Sequence, residues 1–125
     1  MSTFEFFAHV VKCYVENDVS TIGFSDNNEK PENYVIITRL DEDDLEPDDA
    51  VGIQTSLSGQ EYTRSISKID LKRENIEIYL NKDGMEKIGF KKIIIRFDEK
   101  NANIGQLIEY INNIFDDTNV ILSVP

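Results

Sequence analysis

Hydrophobic residues recur at every second position over much of this sequence, which is the period of a half-buried β-strand. The clearest case is residues 76–80, where isoleucine or leucine alternates with Glu77 and Tyr79. Alternation or a dense apolar run predicts strands over residues 4–15, 19–24, 34–40, 51–57, 66–71, 76–80 and 92–97. Residues 120–124 are predicted to form a last short strand or a tail that docks on the sheet.

Two features shape the first of these segments. The apolar positions 4, 6, 8 and 10 lie on one face and positions 11, 13 and 15 lie on the other, so we expect a bulge or twist over residues 8–11. Asn17 and Asp18 then predict a tight turn that leads into the next strand as a β-hairpin.

Helical spacing is confined to the later part of the chain. Over residues 103–115 the apolar side chains recur three and four positions apart, which predicts one amphipathic helix. Residues 82–88 predict a short helix that ends at Gly89. The fold class is therefore α+β: residues 1–125 form one domain in which an antiparallel sheet packs against one long C-terminal helix and one short helix.

Negative charge is confined to the first half of the chain. Residues 1–63 contain 14 Asp and Glu against 3 Lys and Arg, whereas residues 64–125 contain 10 of each kind. The whole net charge of −11 therefore comes from the first half. Its centre is the acidic run, residues 41–49, which we expect to form a loop because like charges repel. Its seven acids are Asp41, Glu42, Asp43, Asp44, Glu46, Asp48 and Asp49.

The charge and composition narrow the classes of partner. An acidic chain is not expected to bind nucleic acid or an anionic membrane surface, because both interactions depend on Lys and Arg. No apolar stretch is long enough to span a bilayer, and the N-terminus carries no pattern typical of a signal peptide. A single cysteine, Cys13, excludes an internal disulfide, so we expect a cytoplasmic protein.

The residues that could carry out catalysis are few. His9 is the only histidine and lies in a strand pattern, and Cys13 has no second histidine to activate it. The glycines are scattered singly rather than grouped in a phosphate-binding loop, and no paired Cys/His spacing suits a metal. We therefore expect a protein that is not an enzyme and that uses no cofactor.

Three interpretations of the acidic run stay open at this point: a solvated loop, a cation site and a docking surface. An EF-hand loop would require glycine at the sixth position and glutamate at the twelfth, where this chain has Glu46 and Gly52. A non-standard cation site is still an alternative. Leu45, Pro47 and Val51 among the acids favour docking, because apolar groups add contact to long-range attraction.

The order of segments resembles a known family. Residues 21–26 read Thr-Ile-Gly-Phe-Ser-Asp, and after a polar spacer residues 31–39 read Pro-Glu-Asn-Tyr-Val-Ile-Ile-Thr-Arg. With the segments that follow, this pattern is similar to the immunity protein family numbered ten, whose members are small bacterial proteins of polymorphic toxin systems. The resemblance covers residues 4–116, with one departure: residues 61–65 lack the glycines of an aromatic turn, although Tyr62 fits.

The resemblance implies an immunity protein that binds and neutralises a co-encoded toxin by stoichiometric protein–protein inhibition. Many such toxins are nucleases, whose clefts are basic to hold phosphate. The seven acids of the acidic run would face that basic surface, and Tyr62 would add an aromatic contact. The alternative is a structural or regulatory module that self-associates through residues 120–124, so that monomer and homodimer both stay open.

Overall fold

The computed structural model describes residues 2–125, which form ten β-strands and three helices. The strands divide between two five-stranded sheets, and the longest helix packs on one of them. This arrangement confirms the α+β class that the sequence predicts.

The first sheet combines strands from both ends of the chain. Its strands are β1 Thr3–Ala8, β7 Ile66–Leu71, β8 Asn75–Leu80, β9 Lys92–Phe97 and β10 Ile121–Ser123. They lie in the order β1-β9-β8-β7-β10. β1 pairs in parallel with β9 and β10 in parallel with β7, whereas the two central pairs are antiparallel. The predicted strand at the C-terminus thus completes the chain's own sheet.

The second sheet is continuous in sequence and entirely antiparallel. Its strands are β2 Val10–Glu16, β3 Val19–Ser25, β4 Tyr34–Leu40, β5 Val51–Thr55 and β6 Glu61–Thr63, and they lie in chain order. The predicted hairpin is confirmed, because Asn17 and Asp18 both adopt positive φ, at 52° and 63°, as a type I′ turn requires.

The prediction of one bulged strand over residues 4–15 is wrong. The chain bends at His9, and β1 and β2 belong to different sheets. Phe6 and Ala8 are buried in the first strand, whereas Val11 and Cys13 face the core in the second. The change of parity over residues 8–11 therefore marks a transfer between sheets, which a single sequence cannot distinguish from a bulge.

The core lies between the inner faces of the two sheets and the long helix. The rings of Phe24 on β3 and Phe97 on β9 lie 6.3 Å apart and join the sheets directly. The helices are α1 Pro47–Ala50, α2 Lys82–Ile88 and α3 Ile104–Ile114. α3 buries Leu107, Ile111 and Ile114, as its apolar stripe predicts.

Side chains fix the ends of the two longer helices. Asn81 and Asn103 act as N-caps, since each side chain accepts a hydrogen bond from a backbone N–H in the first turn. Gly89 ends α2 with a φ of 90°, the left-handed conformation that favours glycine. The predicted bounds of both helices are confirmed to within one residue.

Arg39 ties the second sheet to the C-terminus of α3. Its Nη1 donates to the carbonyl oxygens of Asn113, Ile114 and Asp116 at 3.4, 2.8 and 2.6 Å. These carbonyls lie at the helix end or just beyond it, where backbone acceptors lack helical partners and a cation is favoured. Arg39 is one of only three bases in the acidic half of the sequence, and this contact engages it.

Candidate partner-binding site

The charge asymmetry of the sequence becomes an asymmetry between the two sheets. Residues 10–63, which contain the whole second sheet and its connections, hold 13 acids and 3 bases. The balanced half of the chain supplies four strands of the first sheet, α2, and α3, which packs on β2 and β3 of the second sheet. One side of the molecule is therefore strongly negative, and the acidic run follows its central strand, β4.

The first four acids of the run are all exposed, and we call them the acidic tip: Asp41, Glu42, Asp43 and Asp44. The Asp41 amide donates to the Asp18 carbonyl at 2.9 Å, so the tip lies beside the β2–β3 turn. A turn closed by the Leu45 amide on the Glu42 carbonyl at 3.2 Å shapes it. Among residues 2–125, none of these four carboxylates forms an ion pair or a side-chain hydrogen bond.

Two further acids of the run contact Arg64, which lies in the connection between β6 of the second sheet and β7 of the first, the crossing between the sheets. Arg64 donates from Nη2 to Glu46 at 2.9 Å and from Nε to Asp49 at 2.5 Å. The hydrogen bond from Arg64 holds the pKa of Asp49 below its usual value, and the same contact raises the pKa of Arg64. The charges of Glu46 and Asp49 are therefore partly compensated inside the molecule.

Asp48 is also engaged within the chain. Its carboxylate accepts hydrogen bonds from the backbone and side-chain amides of Asn119 at 3.1 and 2.8 Å. This contact joins the acidic run to the segment after α3. Together with the pairs to Arg64, it anchors the second half of the run and leaves the tip as its free part.

The prediction that all of residues 41–49 form a loop is only partly correct. Residues 41–46 are loop, but Pro47 begins the single turn of α1, where its missing N–H costs nothing. Val51 is buried in the core with 6% of its surface exposed, so it is not a docking residue. Leu45 and Pro47 are half-buried.

Tyr62 lies on β6, opposite Ile53, and is half-buried. Its hydroxyl donates to Gln60 at 3.1 Å, and the Lys87 ammonium lies 5.8 Å from its ring centroid. Tyr62 and Arg64 line the same narrow crevice, so the aromatic residue lies near the anchored end of the run rather than at the tip. Much of its ring packs against the protein's own core.

The two candidate catalytic side chains are far from an activated arrangement. His9 is exposed at the bend between the sheets, where its ring lies 4.8 Å from that of Phe7. Burial raises the pKa of the Cys13 thiol to about 11, so the thiol stays protonated and weakly nucleophilic at neutral pH. Within residues 2–125, no cluster of His, Cys, Asp and Glu side chains is suited to hold a metal ion.

A second surface, which the sequence analysis missed, lies on the solvent side of the second sheet. We call it the outer groove; it encloses about 370 Å³ and is lined by Lys12, Tyr14, Gly23, Pro31, Tyr34 and Ile36 among others. The strand alternation gives a sign of this groove, since Gly23 and Ile36 lie between core residues and Tyr34 directly precedes one. That signal is weak, because one face of an antiparallel sheet is ordinarily solvated.

The chain matches no known protein-family model and no curated protein sequence. Among the described residues, no helix combines the length and the apolar character needed to cross a membrane.

Proposed function

We propose that this protein is a cytoplasmic immunity protein that neutralises a co-encoded toxin by forming a stoichiometric complex. The acidic tip carries this proposal, because four exposed carboxylates without internal partners stand on the more negative of the two sheets. Such a surface attracts a basic partner and accelerates its encounter. The resemblance of residues 4–116 to the immunity family supplies the class of partner, a toxin domain such as a nuclease with a basic cleft.

The seven acids of the run contribute differently to this mechanism. The tip faces the toxin, where its carboxylates take the place of substrate phosphates. Glu46 and Asp49 are held by Arg64, and Asp48 is held by Asn119, so these three position the tip and add to the field rather than pair with the toxin. Because the tip is anchored at both ends, it loses little conformational entropy on binding.

The first test uses the toxin domain encoded beside this protein. Cells that express the toxin domain should stop growing, and co-expression of this chain should restore growth and yield a complex of defined stoichiometry. Growth that is not restored, or the absence of a complex on gel filtration, would refute the immunity role.

The second test concerns the acidic tip. A tip variant, with Asp41→Asn, Glu42→Gln, Asp43→Asn and Asp44→Asn, should associate with the toxin about tenfold or more slowly, with a flatter salt dependence. A matched control variant replaces four exposed acids of the other half with glutamine: Glu74, Glu86, Glu99 and Glu109. Equal slowing in both variants would show that net charge, and not the tip, guides the partner.

Self-association through β10 is a second candidate, favoured by Ile121, whose surface is 65% exposed on an edge strand. The strand has only three residues and already pairs with β7, so little edge is available to a second copy. Light scattering at micromolar concentration distinguishes the two candidates, because a monomeric protein at that concentration would rule out self-association through β10.

A further inference from the structure

The solvent-facing sides of the two sheets differ in how many charges they carry, although Phe7 is exposed on the first. The outer side of the first sheet carries charged pairs, among them Lys92 with Glu77 at 2.9 Å and Arg96 with Glu5 at 2.5 Å. The outer side of the second sheet is largely uncharged and includes Tyr14, of which 45% is exposed. A sheet face that is simply exposed to water ordinarily carries charged side chains, as the first sheet does. The outer side of the second sheet carries few charges and exposes aromatic surface, which is the composition of an interaction surface.

The outer groove has an open floor. Gly23 lies at its centre on β3, and a Cβ added there would meet no atom within 4 Å. Lys12 and Ile36 flank Gly23 on the neighbouring strands, while Tyr14 and Tyr34 supply aromatic surface to the same groove. The 370 Å³ that this arrangement leaves is enough for a large side chain of another molecule.

One wall of the groove is built by the loop between β3 and β4 and is held in place by hydrogen bonds. The Asp26 carboxylate accepts from the backbone amides of Glu32 and Asn33, both at 3.0 Å, and from the Asn33 side chain. Lys12 donates to Asn28 at 3.1 Å across the groove wall. Pro31 adds rigidity, so the wall is preorganised and a ligand would not have to order it.

The charges around the groove specify its occupant. Residues 10–44, which contain its walls and both ends of its strands, hold nine acids and three bases. Two of the three bases are engaged, Lys12 with Asn28 and Arg39 with the end of α3. The acidic tip lies toward one end of these strands, and Glu29 and Glu32 are exposed toward the other.

We propose that the outer groove receives an aromatic side chain from a lysine- or arginine-rich loop of the partner protein. The ring packs on Gly23 and Ile36 and against the tyrosines, while the flanking cations face the acids at the two ends. This contact supplies the residence time that charge steering alone does not. The inference rests on the proposed function, because the partner it describes is the basic toxin surface.

The test requires no toxin. The probe is a short synthetic peptide with one tryptophan between arginines, titrated into isotope-labelled protein and followed by NMR. The amide signals of Gly23 and Ile36 should shift, and a peptide with alanine in place of tryptophan should bind about tenfold more weakly. Gly23→Phe fills the groove from within and should weaken binding of the tryptophan peptide by about tenfold or more.

Ser123→Phe is the matched control, since it adds the same side chain at an exposed position of β10 and should leave binding unchanged. Both variants should keep the thermal stability of the parent, because neither position is confined. Shifts restricted to residues 41–44, or equal affinity in both variants, would overturn the proposal. A dimer that Gly23→Phe dissolves would also overturn it, by making a second copy of this chain the occupant.

The two proposals fail separately. If the peptide occupies the groove but the chain does not restore growth against the toxin, the immunity role fails and the groove inference stands. If Gly23→Phe restores growth as well as the parent and the peptide does not bind, the groove inference fails and the immunity role stands.

Discussion

At the scale of single residues, the outer side of the first sheet carries an ion pair, Glu77 with Lys92, whose contribution to stability depends on pH. Glu77 is half-buried, and the hydrogen bond from Lys92 is the main cause that lowers its pKa from 4.5. The same contact raises the pKa of Lys92 above 10.5. The Lys92 ammonium also lies 4.9 Å from the ring centroid of Tyr79, which adds a cation–π contact.

The direction of these shifts predicts how stability depends on pH. Because the folded pKa of Glu77 is below its usual 4.5, its contribution is present above that pH and is lost as the pH falls through the folded value. Glu77→Gln should cost about 1 kcal/mol at neutral pH and flatten the acid limb of the unfolding curve. Glu86→Gln, at an exposed position of α2, is the control and should change neither the stability at neutral pH nor the acid limb of the unfolding curve. Parallel acid limbs in parent and Glu77→Gln protein would contradict this assignment.

Lys92 behaves in the opposite sense. Its raised pKa means that its contribution is present at neutral pH and is lost as the pH rises through the folded value above 10.5. The pair therefore stabilises the protein over a window that is bounded by acid at one end and strong base at the other.

At the scale of elements, two helical glycines differ in what surrounds them. A methyl group on Gly84 of α2 would overlap the backbone carbonyl of Ser65, which cannot rotate away. A methyl group on Gly105 of α3 would meet only the Asn103 side chain at 3.5 Å, an ordinary contact. The absence of a side chain at Gly84 lets α2 approach the connection between the sheets. At Gly105 no close contact requires glycine.

This contrast predicts opposite effects of the same substitution. Gly105→Ala should stabilise the protein by up to about 1 kcal/mol, because alanine has the higher helix propensity. Gly84→Ala should destabilise it by about 1–3 kcal/mol despite the same gain, since the backbone must move to relieve the overlap. Chemical denaturation of the two variants measures both values, and a stabilised Gly84→Ala protein would show that α2 can shift freely.

Sequence patterns identified most elements, and the exceptions have physical causes. The end of α2 at Gly89 and the turn at Asn17 are local, so the sequence around them suffices. The separation of β1 from β2 is not local, because it depends on which sheet each strand joins. Similarly, nothing near Asp48 indicates that it pairs with Asn119, 71 positions away.

At the scale of the whole molecule, uncompensated charge should weaken the fold. The net charge is −11, and its excess lies on one sheet, so the carboxylates of the acidic tip repel their neighbours. The tip variant should therefore be more stable than the parent at low ionic strength, by about 1 kcal/mol or less, and added salt should remove the difference. Thermal unfolding at several salt concentrations measures this effect.

The control variant in the second half removes the same formal charge from a region where acids and bases balance. It should gain less stability than the tip variant. If both gained equally, the repulsion would be a property of net charge alone. If the tip variant lost stability instead, its carboxylates would have internal partners.

The sequence by itself determined most of the strand and helix segments, the α+β class and the charge imbalance, because these depend on spacing and composition along the chain. Only the tertiary structure decided which acids of the run are free. Arg64 and Asn119 reach Glu46, Asp49 and Asp48 through contacts between distant segments. The outer groove is likewise tertiary, since it exists only where three strands and a hydrogen-bonded loop meet. Pairing between distant segments is set by packing, and a one-dimensional pattern does not encode it.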